Sequence, residues 1–487
     1  MVPELLCIYP TDLPENIRII ENHCFIRMPE LPGPDQVFHF MPVPGLVGQE
    51  NEIITAKIAE KNGRDDQSEK FASHGTKIHC KNINSLFLRT NLFIMSGSFR
   101  HSLSRRSFFK TSALLGLGAV ISSWIPKALK GQDAAKPAKP GTNIQDAMKY
   151  PRTEWSMPGK YPGKVVQVTH PDCVVERKPR LDAAREMVRA GMLALTGAST
   201  IPEAWRQFVS PGEKVGLKVN PVAGKDLTTS LEITRAVIDQ LVESGIPLKD
   251  IVIWDRRQFE LEEVGFTSGN FPGVGIAGTE IKDAAGSFYD KEGKLYGEAM
   301  IDKKWYYWAD VEGEYDAETL PYMVNGGKYS YFSKICTEQV DKIINLPILK
   351  NAGASVTICM KNLAYGSVSN TGRLHKDLWS ETTAEVCAFP PLRDKVVLNI
   401  VDGMIGCYQG GPGANPQYIT DFKVMLFGTD PVAVDRIGYD IVYKKRVAEQ
   451  ITKEESPRGR QFMTMAQNLG LGTAEIEKID LKQVRIG

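Results

Sequence analysis

The sequence predicts an α/β fold: a mostly parallel sheet flanked by helices, with an inserted aromatic- and Gly-rich subdomain. Two observations carry this. From Lys164 onward, short apolar runs alternate with segments of helical spacing, the pattern of βα units feeding a parallel sheet. The stretch Lys395–Asp435 then reads as strand, polar tip, strand, polar tip and helix, which is how such a sheet builds a site at one edge.

Taken in order, Val165–Val168 is a short strand, and Arg180–Leu195 has helical spacing through Leu181, Ala184, Met187, Val188 and Met192. Lys214–Val219 is a strand ending at Asn220-Pro221. Leu231–Glu243 is an amphipathic helix closed by Gly245. Ile251–Trp254 is a strand ending in Asp255-Arg256. Residues 256–330 break the rhythm: they are rich in Gly, Tyr and Trp, and short antiparallel strands are expected there. The run Trp305-Tyr306-Tyr307-Trp308 is expected to serve packing.

Strands resume at Lys342–Leu349, Ser355–Met360, Val396–Val401 and Lys423–Phe427. Helices follow at Val432–Tyr443, with Thr429 or Asp430 as N-cap and Pro431 in the first turn, and at Gly459–Leu469. The α/β domain thus occupies 160–487, with its insertion at about 256–330.

The first part of the chain reads differently. Residues 1–94 show no sustained period and read as a non-folding extension or a mis-assigned start, with Met95 as the expected initiator. Ser104-Arg105-Arg106-Ser107-Phe108-Phe109-Lys110 precedes the apolar run Thr111–Ile125. A basic segment followed by a short apolar one is the form of a twin-arginine (Tat) signal peptide. Residues 95–140 are therefore read as signal and flexible lead-in, cleaved between Pro126 and Ala138. This implies the twin-arginine translocation machinery as a partner and a periplasmic, or otherwise exported, product with no stable membrane span after cleavage.

The 487 residues are 24% charged and 42% hydrophobic, with a formal net charge of +1. That is ordinary globular composition, with no bulk charge to draw the chain to nucleic acid. None of the 8 cysteines stands in a C-x-x-C pair, so no zinc ribbon or iron–sulfur cluster is expected.

Candidate chemistry lies at the strand exits, where an open α/β sheet forms its ligand crevice. Lys218, Asn220, Lys350, Lys361 and Asn362 lie there, and lysines beside amides suit a carboxylate or phosphate. Asn345 lies along the Lys342–Leu349 run. Gly410, Gly411 and Gly413 could bring backbone N–H groups to the same anion, although GGPG is not a phosphate-loop motif. Arg373 is a further substrate-binding candidate. His375, one of two histidines beyond the signal, is the acid/base candidate, with Lys361 and Asp402 beside it in catalytic roles. Asp402 and Asp430 are candidate metal ligands; with few histidines present, a hard divalent cation suits the available donors best. Each residue also has a bland alternative: a solvated edge lysine, a loop histidine, a helix cap at Asp430 or an ordinary glycine turn. The coincidence of several polar exits favours a site.

The ordered motifs Val215-Gly-Leu-Lys218-Val-Asn220-Pro221, Ile344-Asn-Leu-Pro347-Ile-Leu-Lys350, Val356-Thr-Ile-Cys-Met-Lys361-Asn362-Leu, Val401-Asp402-Gly403 and Gly428-Thr-Asp430-Pro431-Val-Ala-Val-Asp435 resemble the bacterial and archaeal family called domain of unknown function 362. The resemblance spans roughly 165–445. It implies no assigned activity. Many members carry a ferredoxin-like cysteine cluster, which this chain lacks, and a histidine common two places after the residue matching Lys350 is here Ala352. The sequence thus points to a periplasmic enzyme acting on a small anionic substrate, with a divalent metal as the candidate cofactor. The alternative is a non-catalytic binding protein for an anionic ligand.

Overall fold

The computed structural model describes residues 139–487, apart from 314–320, 323–325 and 457, together with four short strands nearer the start. The chain divides into two units, Met1–Gln132 and Asp133–Gly487. In the first, Ile17–Ile20 pairs antiparallel with His23–Ile26, and Ile53–Ala56 with Thr76–His79. The export-signal reading of Ser104–Ile125, and that of residues 1–94 apart from these strands, lies outside the described residues. No helix among the described residues is long and apolar enough to cross a membrane.

The second unit is built on one sheet. From edge to edge it runs Gly275–Glu280, Ile251–Arg257, Val215–Lys218, Lys342–Asn345, Val396–Cys407, Val424–Gly428, Lys164–Thr169 and Asp480–Arg485. Neighbours are parallel except around Val424–Gly428, which is antiparallel to the strands on both sides. Three further strands attach at the rim: Ile348–Ala352, Ser355–Thr357 and Ile419–Thr420.

Helices cover both faces, so the strands are apolar on both. Val166, Val168, Leu217, Ile253, Ile344 and Leu398 pack with Met187, Val188, Val237 and Leu241 of the helices Leu181–Thr196 and Leu231–Glu243. Val165, Trp254, Ile343 and Leu426 face Leu363, Val434 and Ile437 of the helices Cys359–Ser367 and Pro431–Ala448.

Chain order reverses inside this sheet. From Val215–Lys218 the chain proceeds outward through Ile251–Arg257 to Gly275–Glu280; from Lys342–Asn345 it proceeds the other way to Val396–Cys407. The reversal falls between Lys218 and Asn345, which are register partners. In open α/β sheets the ligand crevice opens at such a point, beyond the carboxyl ends of the strands.

Several boundaries differ from the sequence reading, each for a local reason. Lys342–Leu349 is two strands, because Pro347 has no N–H for the ladder. Ser355–Met360 is a strand only to Thr357; Cys359 already begins a helix. Val396–Val401 continues to Cys407, with Pro347 O accepting from Asp402 N at 2.8 Å beside the rim strand. Within 256–330, Gly275–Glu280 joins the main sheet in parallel, and Ile301–Trp308 pairs antiparallel with Tyr329–Ser333. The closing strand Asp480–Arg485 alternates too weakly to be read in advance.

Candidate functional site

At the reversal point the polar exits converge. Lys218 leaves its strand fully buried, and its Nζ donates to Asp255 Oδ1, to Val219 O at 2.8 Å and to Asn362 Oδ1 at 3.0 Å. Asn220 Nδ2 donates to the same Asn362 oxygen at 2.8 Å, and Asn220 Oδ1 accepts from Lys350 Nζ at 2.8 Å. Asn362 Nδ2 donates to Asn345 Oδ1 at 2.8 Å, and Asn345 Nδ2 to Asn399 Oδ1 at 2.9 Å. Lys218, Asn220, Lys350 and Asn362 are therefore one hydrogen-bonded network, with Lys361 next in sequence to Asn362.

Only Lys218 has a carboxylate partner in this network. Lys350 is fully buried, and among the described residues its ammonium hydrogen-bonds to one neutral amide. Burial, and then the charge of Lys361, push its pKa down to about 7. Lys361 makes no hydrogen bond or ion pair with the described residues. Its Nζ lies 5.0 Å from the ring centre of Tyr365 and 5.5 Å from that of Trp379. Burial, with the nearby charge of Arg256, lowers it to about 8. Burial also pushes Lys218 down, against the pull of Asp255. Two ammonium groups are thus held out of water without an anion, a costly arrangement for a group that is mostly paired when buried.

The helix Cys359–Ser367 aims this chemistry. Its N-terminus carries partial positive charge and two orphan N–H groups. Asp435 satisfies both, accepting from Cys359 N at 2.6 Å and Met360 N at 3.0 Å. Burial raises the Asp435 carboxyl to about 7. Farther along the same helix, Gly366 packs against the ammonium end of Lys218; a Cβ there would stand 2.4 Å from Lys218 Cε. Gly366→Ala is expected to push Lys218 off Asp255 and to cost about 1–3 kcal/mol, read as a lowered urea midpoint with an unchanged slope.

His375 stands beside Lys361. Its ring lies 4.5 Å from that of Tyr365, and its Nδ1 meets Thr371 O at 3.1 Å. A carbonyl partner requires Nδ1 to donate, which leaves Nε2 as an acceptor. The surrounding protein, then the charges of Lys361 and Arg256, lower the imidazole to about 4, although its edge remains exposed. His375 is therefore a neutral base at pH 7, next to cationic groups.

The other candidates lie elsewhere. Arg373 is buried and holds the insertion, donating to Ala309 O at 3.1 Å, Val311 O at 2.9 Å and Ser330 Oγ at 2.8 Å. Gly410, Gly411 and Gly413 form a surface turn, and a Cβ on Gly411 would stand 1.8 Å from Asn351 O. That close approach explains the glycine, and no described contact joins the turn to Lys218, Lys350 or Lys361. Asp402 faces a neighbouring cavity, with Oδ2 accepting from Ser230 N at 2.9 Å and Oδ1 from Met404 N at 3.1 Å.

Asp430 lies at the opposite edge. Its strand is the reversed one, so that strand's exit falls where its neighbours begin. Its carboxylate accepts from Val432 N at 3.0 Å, Ala433 N at 2.8 Å, Gly163 N at 3.0 Å and Thr473 N at 3.1 Å. Register places it roughly 15 Å along the strands from Asp402, at about 3.3 Å per residue. The two do not form a metal pair, and no group of three or more His, Cys, Asp or Glu among the described residues could hold a metal ion. Asp255 and Arg256 are the partners that sequence reasoning left out of the site. Their place at the exit of the strand next to Lys218 was the available signal.

Residues 215–440 match the family model described as Domain of unknown function (DUF362). The DUF362 region contains the whole lysine–asparagine network and both strands at the reversal point. It leaves out Lys164–Thr169 and Asp480–Arg485, which complete the sheet. No curated protein matches the chain. Among solved structures, a crystal structure of a Thermotoga maritima protein aligns at 10% identity and a TM-score of 0.29, over 57% of this chain. The chain spans 60% of that protein's length.

Proposed function

We propose that the protein is an exported enzyme acting on a small anionic substrate, bound where the sheet reverses its order. The observation that carries this reading is the pair of buried lysines, Lys350 and Lys361, without a carboxylate partner at that point. A carboxylate or phosphate supplies the missing counter-charge, and neighbouring amides supply directed donors. Lys361 meets the anion and Lys350 stabilises it from below. Lys218 is held by Asp255 and positions Asn362. Neutral His375, through Nε2, takes a proton from the bound molecule, and the adjacent ammonium groups stabilise the negative charge that develops. Export rests on the Ser104–Ile125 segment.

The test is a panel of small carboxylates and phosphates added to the mature protein, with melting temperature and product formation by NMR as readouts. At least one anion is expected to raise the melting temperature, and Lys361→Met to weaken its binding about tenfold or more. His375→Gln is expected to keep binding and lose turnover. Binding without turnover makes the protein a capture module for the same anion. No stabilisation by any member of the panel sinks both readings.

A further inference from the structure

A cavity opens beside the Thr228–Ser230 segment. It has a volume of about 480 Å³, large enough for a small organic molecule. Its lining mixes apolar side chains, among them Leu227, Ile348, Ile405 and Ile419, with charged and hydroxyl-bearing ones. At the base lies Asp402, 2% exposed, and no lysine or arginine among the described residues pairs with it. Half-buried Glu232 adds a second negative charge, while exposed Arg177, Lys225 and Asp226 stand at the rim.

The buried group here is thus opposite in charge to those of the lysine–asparagine network. There, buried cations lack an anion; here, a buried carboxylate lacks a cation. Asp402 accepts a backbone N–H on each oxygen, from Ser230 and Met404, and the Ser230 hydroxyl stands against it as well; together these orient the group and still leave it acceptor capacity. Burial raises its pKa, as expected for a carboxylate short of counter-charge. The rim is also built with backbone strain. Glu176 and Arg177 both have positive φ, 50° and 59°, in the turn between Val174–Val175 and Lys178–Pro179. Neither residue favours that region, and the turn sets Arg177 at the cavity mouth.

We propose that this cavity binds a compact amine: an ammonium group against Asp402 and a branched apolar body against the isoleucine and leucine walls. The ammonium would donate to the free lone pairs of the buried carboxylate in a charge-assisted hydrogen bond. The hydrocarbon would cover apolar wall that the cavity otherwise leaves to solvent.

Isothermal titration of the full chain with isopentylamine, isopentanol and isopentanoate tests this. The amine is expected to bind about tenfold or more tighter than the alcohol, and the carboxylate weakest of all. Asp402→Asn should erase the preference for amine over alcohol. Ile405→Trp fills the cavity from its half-exposed wall, leaves the Asp402 hydrogen bonds in place, and should abolish binding of all three. Lys350→Met should leave amine binding unchanged, which separates this site from the anion crevice. The proposal is overturned if the amine gives no binding heat at millimolar concentration, if the alcohol or carboxylate binds as tightly, or if folded Ile405→Trp binds the amine normally.

Discussion

Lys350→Met is expected to lose anion binding by about tenfold or more while melting higher than the parent chain at neutral pH. Lys350 is fully buried, with only the Asn220 amide as partner among the described residues. Its pKa falls from 10.5 to about 7 on folding, a gap equivalent to about 5 kcal/mol at 1.36 kcal/mol per pH step. Methionine fills a similar volume without the charge. Its cost is an Asn220 oxygen left without a donor, about 1–3 kcal/mol. The balance favours the variant by a few kcal/mol, which identifies Lys350 as a residue kept at the expense of stability.

The pH dependence follows in sign. Below about 7 the lysine is protonated in both states and the burial penalty is complete. Between about 7 and 10.5 the unfolded chain holds a proton that the folded chain has shed, so stability rises with pH. Lys361, lowered to about 8, adds to the same limb. Urea midpoints collected between neutral and alkaline pH should climb in the parent chain and climb less in Lys350→Met. Parallel profiles would show that Lys350 is not the group responsible.

Asp435→Ala should produce the largest loss of stability of any single change considered for this site. It strips the acceptor from two buried N–H groups, those of Cys359 and Met360, at about 1–3 kcal/mol each. The frayed turn carries Lys361 and Asn362, so anion affinity should fall with it. Asp435→Asn keeps one acceptor oxygen and should lose roughly half as much. The pKa of this carboxyl is raised from 3.8 to about 7. Between those values the folded chain holds a proton that the unfolded chain has lost, so this group makes stability fall as pH rises. Chemical denaturation of both variants across the acidic range checks this: Asp435→Asn should remove the fall, and an unchanged slope would count against the assignment.

The fold class was legible because strand and helix periods alternate so regularly from Lys164 onward. The lysine–asparagine network was largely legible too, because Lys218, Asn220, Asn345, Lys350 and Asn362 lie along or beside strands whose exits share an edge. Asp430 shows what a strand list cannot tell. A residue after a strand lies at the crevice only if that strand runs with its neighbours, and direction is a property of pairing between distant segments. Arg373 fails for another reason. A guanidinium near a candidate site reads as an anion ligand, but three acceptors from the insertion, 43 to 64 residues away in the chain, claim it first. Asp255 stands at a strand exit too, but nothing local marks it as the partner of a lysine on the next strand.

The row formed by Lys218, Asn345 and Asn399 also bears on how the sheet finds its alignment. These residues are direct partners across three adjacent parallel strands, and Asn399 is matched in turn to Gly428. Strands covered by helices on both faces have little to lose from sliding: a one-residue slip exchanges one apolar face for another. A slip here would instead strand two buried amides and a buried ammonium without partners, each at a cost of about 1–3 kcal/mol or more. The polar row acts as the key that permits a single alignment. A ligand that tightens the Lys350–Asn220–Asn362 connection would therefore slow amide exchange at Gly428, three strands away from Lys218.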